Sequence, residues 1–260
     1  MIQRSKILHG ILLALFLFVI TWSTAISFDG RALNEASDAN GLLRMGYYLY
    51  HFGTISYDVE ESSSPMPTAY REPAYSFYHA FIISLSSKLQ RMDLKTMNGE
   101  GEGLRMLRLG QIPILLITAL LSMYLAFQLT HKMVYGYSAL LLTGLSVGLF
   151  TSMQSLKIEH FSALWVVLVA ILFYKVMQKK TKKWFSALGI GLGILVLTKA
   201  IYMYFLVIIL IYLFYLYRKN IVEKRNVIWG ASLMGLFYIL VVGSWMTRNY
   251  IHFGKFYITH

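Results

Sequence analysis

The chain has no cysteine, which excludes disulfides, thiolate metal sites and cysteine nucleophiles. Charge is scarce too. Only 14% of the 260 residues are Asp, Glu, Lys or Arg, where a soluble domain carries about 25%. No Walker-type or dinucleotide-binding glycine pattern occurs, so soluble nucleotide chemistry has no support. His-x-x-x-His and HExxH spacings are absent, as is the Gly-x-Ser-x-Gly elbow that would support a serine triad.

Apolar side chains fill the space left by these absences. The chain is 57% hydrophobic and 15% aromatic, with mean hydropathy +0.56. Several runs approach the roughly 20 residues that cross a bilayer. Seven spans are expected, near 10–27, 109–130, 134–152, 161–177, 184–198, 201–217 and 227–246. The predicted fold is an all-α, multi-pass transmembrane helical bundle forming one membrane domain over 1–260. Within it, 1–27 is the first span, 28–108 a long external loop, 109–246 six further spans and 247–260 an external tail. The opening "MIQRSKILHGILLALFLFVITWSTAIS" has the basic head of a signal peptide. Its apolar run exceeds a usual signal core and more spans follow, which favours an uncleaved first helix.

The net charge of +12 does not point to nucleic acid, because much of it lies in short loops. "KVMQKKTKK" follows the fourth expected span, "YRKNIVEKR" the sixth, and Arg4 and Lys6 precede the first. Alternating spans place all three clusters on one side, which the positive-inside rule makes cytoplasmic. The N-terminus is therefore expected inside. Residues 28–108, the 153–160 loop, the hinge at Lys199 and the tail from Arg248 fall outside. Glycines 144 and 148, and 189 and 193, form small-xxx-small pairs suited to close helix packing.

The external loop carries helical pattern. Asp38, Leu42, Met45, Leu49 and Phe52 recur at steps of 4, 3, 4 and 3, a helical stripe. Asp38 stands in the first turn, where the helix dipole favours a carboxylate. "SYDVEESSSPMP" reads as an acidic loop, and Pro73 suits the first position of a second helix. Tyr75, Tyr78, Ile82, Leu85 and Leu89 would give that helix an apolar face, with Ser76, His79 and Lys88 on a polar one. Two amphipathic helices on the membrane surface are expected.

Charges on an outer loop are ordinarily solvated, and Lys199 and Arg248 would also serve as anchors that snorkel to the interface. Yet Glu159, His160, Lys199 and Arg248 all fall at span ends on the side of Asp38, Arg71 and Glu72. Ionisable groups at membrane depth are costly and point to function. One or two carboxylates with several cations suit a lipid-linked phosphate and a base.

In this order the residues resemble membrane glycosyltransferases of the GT-C type. The likeness is to the protein O-mannosyltransferase and lipid A aminoarabinose transferase relatives, the glycosyltransferase family 39 and 83 group. The family's acidic residue and helix match Asp38, Leu49 and Gly53, and its Pro-x-Tyr-type segment matches "REPAYSFYHAF". An acidic residue opening a later span matches Glu159 in "SLKIEHFSALW". "ALGIGLGILVLTKA" and "SWMTRNYIHFGKF" match the two closing motifs. This chain departs from the pattern at Ala39, Leu42 and Ser244, and Glu35 and Asp29 are rival acidic positions to Asp38. Members of the group are commonly longer, so the resemblance implies their shared seven-span module, as a fragment or as one half working with a partner subunit.

The resemblance implies a glycosyl transfer at the outer face of a bacterial cytoplasmic membrane. The sugar would pass from a polyprenyl-phosphate donor to a lipid, glycan or protein acceptor. Asp38 would be the catalytic base, and Arg71, Lys199 and Arg248 the donor-phosphate contacts. Glu72, Tyr75, Glu159 and His160 would bind substrate. No cofactor is implied with certainty; a divalent metal stays open, but no metal ligands are assigned and no Asp-x-Asp pair occurs. The rival classes are a non-catalytic membrane subunit and a lipid-linked glycan transporter. A transporter would show charged span interiors and repeated halves, and the sequence has neither. The sidedness is directly testable: single cysteines at Lys180 and Ser63 are expected to react with impermeant reagent from opposite faces of intact cells. Equal labelling of both from outside would overturn it.

Overall fold

The computed structural model describes residues 2–28, 31, 33, 38–58, 63–221 and 223–259. The rival acidic positions Asp29 and Glu35 lie outside these. Among the described residues the secondary structure is helical, apart from one antiparallel bridge between Ser56 and Pro67. The chain divides into two compact units, residues 1–43 with 82–164 and residues 44–81 with 165–260.

The first unit holds α1 (Ile2–Ser27) and the start of α2 (Asp38–Phe52). It continues from the end of α3 (Ala74–Ser84) through α4 (Ser87–Gln90), α5 (Leu94–Asn98) and α6 (Glu102–Leu109). Then come α7 (Ile112–Thr130), α8 (Met133–Gly144), α9 (Val147–Gln154) and the start of α10 (Glu159–Lys179). The short helices are capped locally: Ser86 Oγ accepts from Leu89 N and Asp93 Oδ1 from Thr96 N, satisfying donors that a helix start leaves orphaned. Ile20, Ile112, Leu115, Ala119, Leu140 and Met153 build the unit's core from α1, α7, α8 and α9.

The second unit contains the rest of α10, then α11 (Lys182–Thr198), a 3₁₀ turn (Ala200–Tyr202), α12 (Met203–Arg218) and α13 (Lys224–Phe253). Its core gathers Val169, Val176, Phe185, Leu188, Leu192 and Met234 among others. Large apolar side chains face outward along α12, with Val207, Ile208, Ile211 and Phe214 all more than half exposed. Such residues are stable only against hydrocarbon, and a helix satisfies its own backbone there.

Among the described residues six helices are long and apolar enough to cross a membrane, where seven were expected. The segment expected as a span at 184–198 is α11. At 17 residues it rises about 25 Å, at the short end of what crosses a ~30 Å core. The span expected at 134–152 is two helices, broken at Leu145 and Ser146, with Ser146 Oγ accepting from Leu149 N.

The expected glycine contacts are made unequally. A Cβ on Gly189 would lie 2.3 Å from the Met234 carbonyl oxygen, and one on Gly193 2.7 Å from Val241 Cβ, so α11 and α13 pack almost backbone to backbone. A Cβ on Gly144 would meet a side chain instead, lying 2.3 Å from Cδ1 and 2.9 Å from Cγ1 of Ile20. Gly148 has no contact nearer than its neighbour Ser146 Oγ, at 3.9 Å, and takes no part in helix packing.

The second surface helix departs most from its pattern. Ser76 and His79, expected on its water face, are fully buried, while Phe77 and Phe81 are more than half exposed and so is Leu85, just past its end. Gly46 of α2 explains this. A Cβ there would sit 2.5 Å from His79 Cβ and 3.1 Å from the Ser76 carbonyl oxygen. The helices meet through their small and polar side, which leaves α3's aromatic side exposed. Tyr78, half-buried in between, has its phenol pushed up to about 12 by burial.

Gly189→Ala should lower stability by about 1–3 kcal/mol, the usual cost of overpacking where backbone cannot yield. Gly235→Ala, with nothing within 4 Å, should be neutral or stabilising by up to about 1 kcal/mol, the helix-propensity difference. Thermal unfolding in detergent measures both.

Candidate active site

The segment "TAYREPAY" belongs to the second unit and is held at alternate residues. Thr68 N donates to the Ile55 carbonyl at 2.8 Å, beside the Ser56–Pro67 bridge. The Thr68 carbonyl accepts from Arg248 Nη1 at 2.7 Å, and the Tyr70 carbonyl from Thr259 Oγ1 at 2.9 Å. Glu72 Oε1 accepts from Ala200 N at 2.7 Å. Residues 68, 70 and 72 each find their own anchor, the first two through their carbonyls and the third through its carboxylate. Pro73 follows, and its carbonyl takes the first bond of α3, from Phe77 N.

Glu72 does particular work. Lys199 ends α11 in an extended conformation (φ −153°, ψ 116°), and Ala200 begins the turn that leads into α12. A helix start exposes unpaired N–H groups and a partial positive charge. The Glu72 carboxylate meets both needs, joining the segment before α3 to the hinge beside Lys199.

Arg248 is set in an aromatic frame. Its Cζ lies 4.8 Å from the Trp245 ring centroid and 5.6 Å from that of Phe253, distances at which a cation is attracted to a ring face. Both of its bonds, to Thr68 O and to Asn249 Oδ1 at 3.0 Å, are made by Nη1. Asn249 is fully buried and donates to the Tyr257 carbonyl at 2.8 Å, while Trp245 Nε1 donates to the Ile258 carbonyl at 2.7 Å. Gly254 ends α13 at φ +69°, a left-handed turn that glycine adopts without strain. The motif "SWMTRNYIHFGKF" thus folds the tail back on the helix end and points Arg248 at the loop. Met45, Ile55 and Trp245 pack beneath, with Leu49, Tyr57, Leu197 and Ile258 around them.

The segment 68–72 is thus bonded to Arg248 at one end and, through Glu72, to the amide of Ala200, the residue after Lys199, at the other. Arg71 is half-buried, with Cζ 5.0 Å from the Tyr70 ring. Tyr75 is fully buried, its ring 4.2 Å from His79.

The other candidates belong to the first unit. Asp38 is the first residue of α2 and is exposed. Glu159 is exposed at the start of α10. His160 is fully enclosed, with Nε2 2.9 Å from Gln111 Oε1 and Nδ1 3.2 Å from Ser152 Oγ. Both ring nitrogens are occupied, so the side chain ties α7, α9 and α10 together. The sequence reading missed Arg108, buried in α6, which donates from Nε to the Gln154 carbonyl and from Nη2 to that of Arg31. Arg44, buried in α2, also went unnoticed. For Arg108 the signal was a cation on the apolar face of its helix, beside Leu104 and Leu107; Arg44 stands off the α2 stripe and carried no such mark. Among the described residues no three His, Asp or Glu side chains cluster as metal ligands would.

Long apolar helices and a polar loop folded onto their ends define a polytopic membrane protein. The sequence model of the dolichyl-phosphate-mannose-protein mannosyltransferase family matches residues 76–245, and the chain belongs to that family. It is a membrane glycosyltransferase of the GT-C type. The matched region includes Glu159, His160 and Lys199 and leaves Asp38, Arg71, Glu72, Tyr75 and Arg248 outside. No curated protein matches the chain.

Replacing Glu72 by Ala should cost about 1–3 kcal/mol, the usual penalty for orphaning a donor, and should speed hydrogen exchange at the Ala200 amide. Glu72→Gln keeps an acceptor oxygen and should lose less on both measures. An unchanged Ala200 exchange rate in Glu72→Ala would remove the tie.

Proposed function

We propose that the protein transfers a monosaccharide from a polyprenyl-phosphate donor to a lipid, glycan or protein acceptor at the external face of the bacterial cytoplasmic membrane. One observation carries the donor half of this reading. Residues 68–72 are bonded both to Arg248 and to the hinge beside Lys199, and Arg71 lies within the same stretch. Cations fixed on one short segment suit a phosphate, since charge-assisted bonds need direct contact.

The acceptor hydroxyl oxygen attacks the anomeric carbon, and the bond from that carbon to the phosphate oxygen breaks. The phosphate departs with the electron pair and remains on its prenyl chain. Arg71, Lys199 and Arg248 stabilise the charge that develops there. Asp38, exposed in the first turn of α2, takes the acceptor's proton as an ionised carboxylate favoured by the helix start. Glu72 holds the segment in place, and Glu159 is assigned to the acceptor. Tyr75 and His160 are both buried.

The test is donor turnover by membranes containing the chain together with any partner subunit, followed as release of polyprenyl phosphate. Asp38→Asn keeps the shape and loses the base. Turnover should fall about 10² to 10⁴-fold, the range of general-base assistance, with protein level and donor binding retained. Near-normal turnover would move the base to Glu35 or Asp29, and intact activity in variants of those as well would end the base assignment.

A further inference from the structure

The basic end of the second unit holds a feature that the transfer reaction does not use. Two tight turns meet there. Lys180, at φ +49°, links α10 to α11, and Asn220, at φ +55°, follows α12. Lys180 Nζ donates to the Ile221 carbonyl at 3.3 Å, tying the turns together. Beside them lies a cavity of about 300 Å³ that Lys180, Lys182 and Arg225 line with positive charge.

Its floor is apolar. The Phe185 ring covers Gly230 so closely that a Cβ there would lie 2.5 Å from Phe185 Cε1. Trp229 forms a wall, with Lys182 Nζ 5.5 Å from its ring centroid. Glu223 is the cavity's one carboxylate, and Asn226 Nδ2 engages its Oε2 at 3.4 Å. Three cations thus face one partly engaged anion. The first turns of α11 and α13 also open here, neither with a side-chain cap, and helix starts favour anions. Ile221, Ile228 and Trp229, around the rim, are all more than half exposed. A free anion has no use for that surface, whereas acyl chains cover it.

We propose that this cavity binds the phosphodiester headgroup of an anionic membrane phospholipid, with its glycerol and upper acyl carbons against Trp229 and the apolar rim. Basic pockets between membrane helices on the cytoplasmic side are suited to such headgroups, and an aromatic ring at that level sits where tail meets water. The lipid clamps the starts of α11 and α13, the two helices in closest contact.

The protein, reconstituted in nanodiscs of phosphatidylcholine with phosphatidylglycerol, is released for native mass spectrometry and its retained phospholipid counted. Wild type should keep phosphatidylglycerol in preference to phosphatidylcholine. Lys182→Gln with Arg225→Gln should weaken retention roughly fivefold for each cation removed. Both side chains are exposed, so the replacements leave the core intact, which an unchanged thermal midpoint in phosphatidylcholine alone would verify. Lys132→Gln with Lys157→Gln removes the same charge elsewhere and should retain lipid as wild type does. Equal retention by the cavity variant, or equal loss by the control pair, would overturn the site. Displacement of the bound lipid by inorganic phosphate would reassign the cavity to a free anion and overturn the lipid assignment.

Discussion

A backbone break near the membrane must not leave N–H groups without acceptors, and at Lys199 the chain meets that demand with a carboxylate 128 positions away. The bond from Ala200 N to Glu72 lets α11 stop and α12 begin without an orphaned helix start. It also fixes the segment that carries Glu72. Once residue 72 is placed, Arg71 and Pro73 are placed, and α3 starts in a defined direction. The bond from Arg248 to Thr68 performs the same service four residues earlier. The arrangement is economical in charge, since backbone groups supply most of the partners.

Helix packing follows a second constraint. Lipid offers no hydrophobic gain for bringing apolar helices together, so association depends on close fit. Gly189 and Gly193 supply it between α11 and α13, and Gly46 does so between α2 and α3. The same logic inverts the outside of the molecule, where Phe77, Phe81 and the row along α12 face outward.

Much of this was legible in the chain. The stripe from Asp38 to Phe52 marks α2 with its correct ends, and the run from Trp245 to Phe256 marks a built structure, seen now as a helix end clasping its own tail. The orientation of α3 was not legible. A pattern of polar and apolar residues says which face differs, but beside a membrane it does not say which face is buried. Gly46, in another helix, decides that. The length of α11 was readable to within two or three residues, yet whether a segment so short spans a bilayer depends on its neighbours. His160 looked like a site residue because it opens a span with Glu159. Its partners, Gln111 and Ser152, lie 49 and 8 positions away, and no local pattern announces them. Pairings such as Glu72 with Ala200 are invisible for the same reason: a single carboxylate carries no sign of which distant amide it will meet.

The near-contact of Gly189 with the Met234 carbonyl has a consequence for synthesis. Gly189 leaves the ribosome about 45 residues before that carbonyl does, in a helix short for a bilayer and weakened by three glycines, which disfavour a helix. Alone, α11 is a poor resident of the membrane. Until α13 is made, Gly189 and Gly193 of α11 lack the backbone they pack against. The arrival of α13 converts a tethered segment into a lodged one. Slowing translation between the two helices would lengthen the interval in which quality-control proteases can recognise α11.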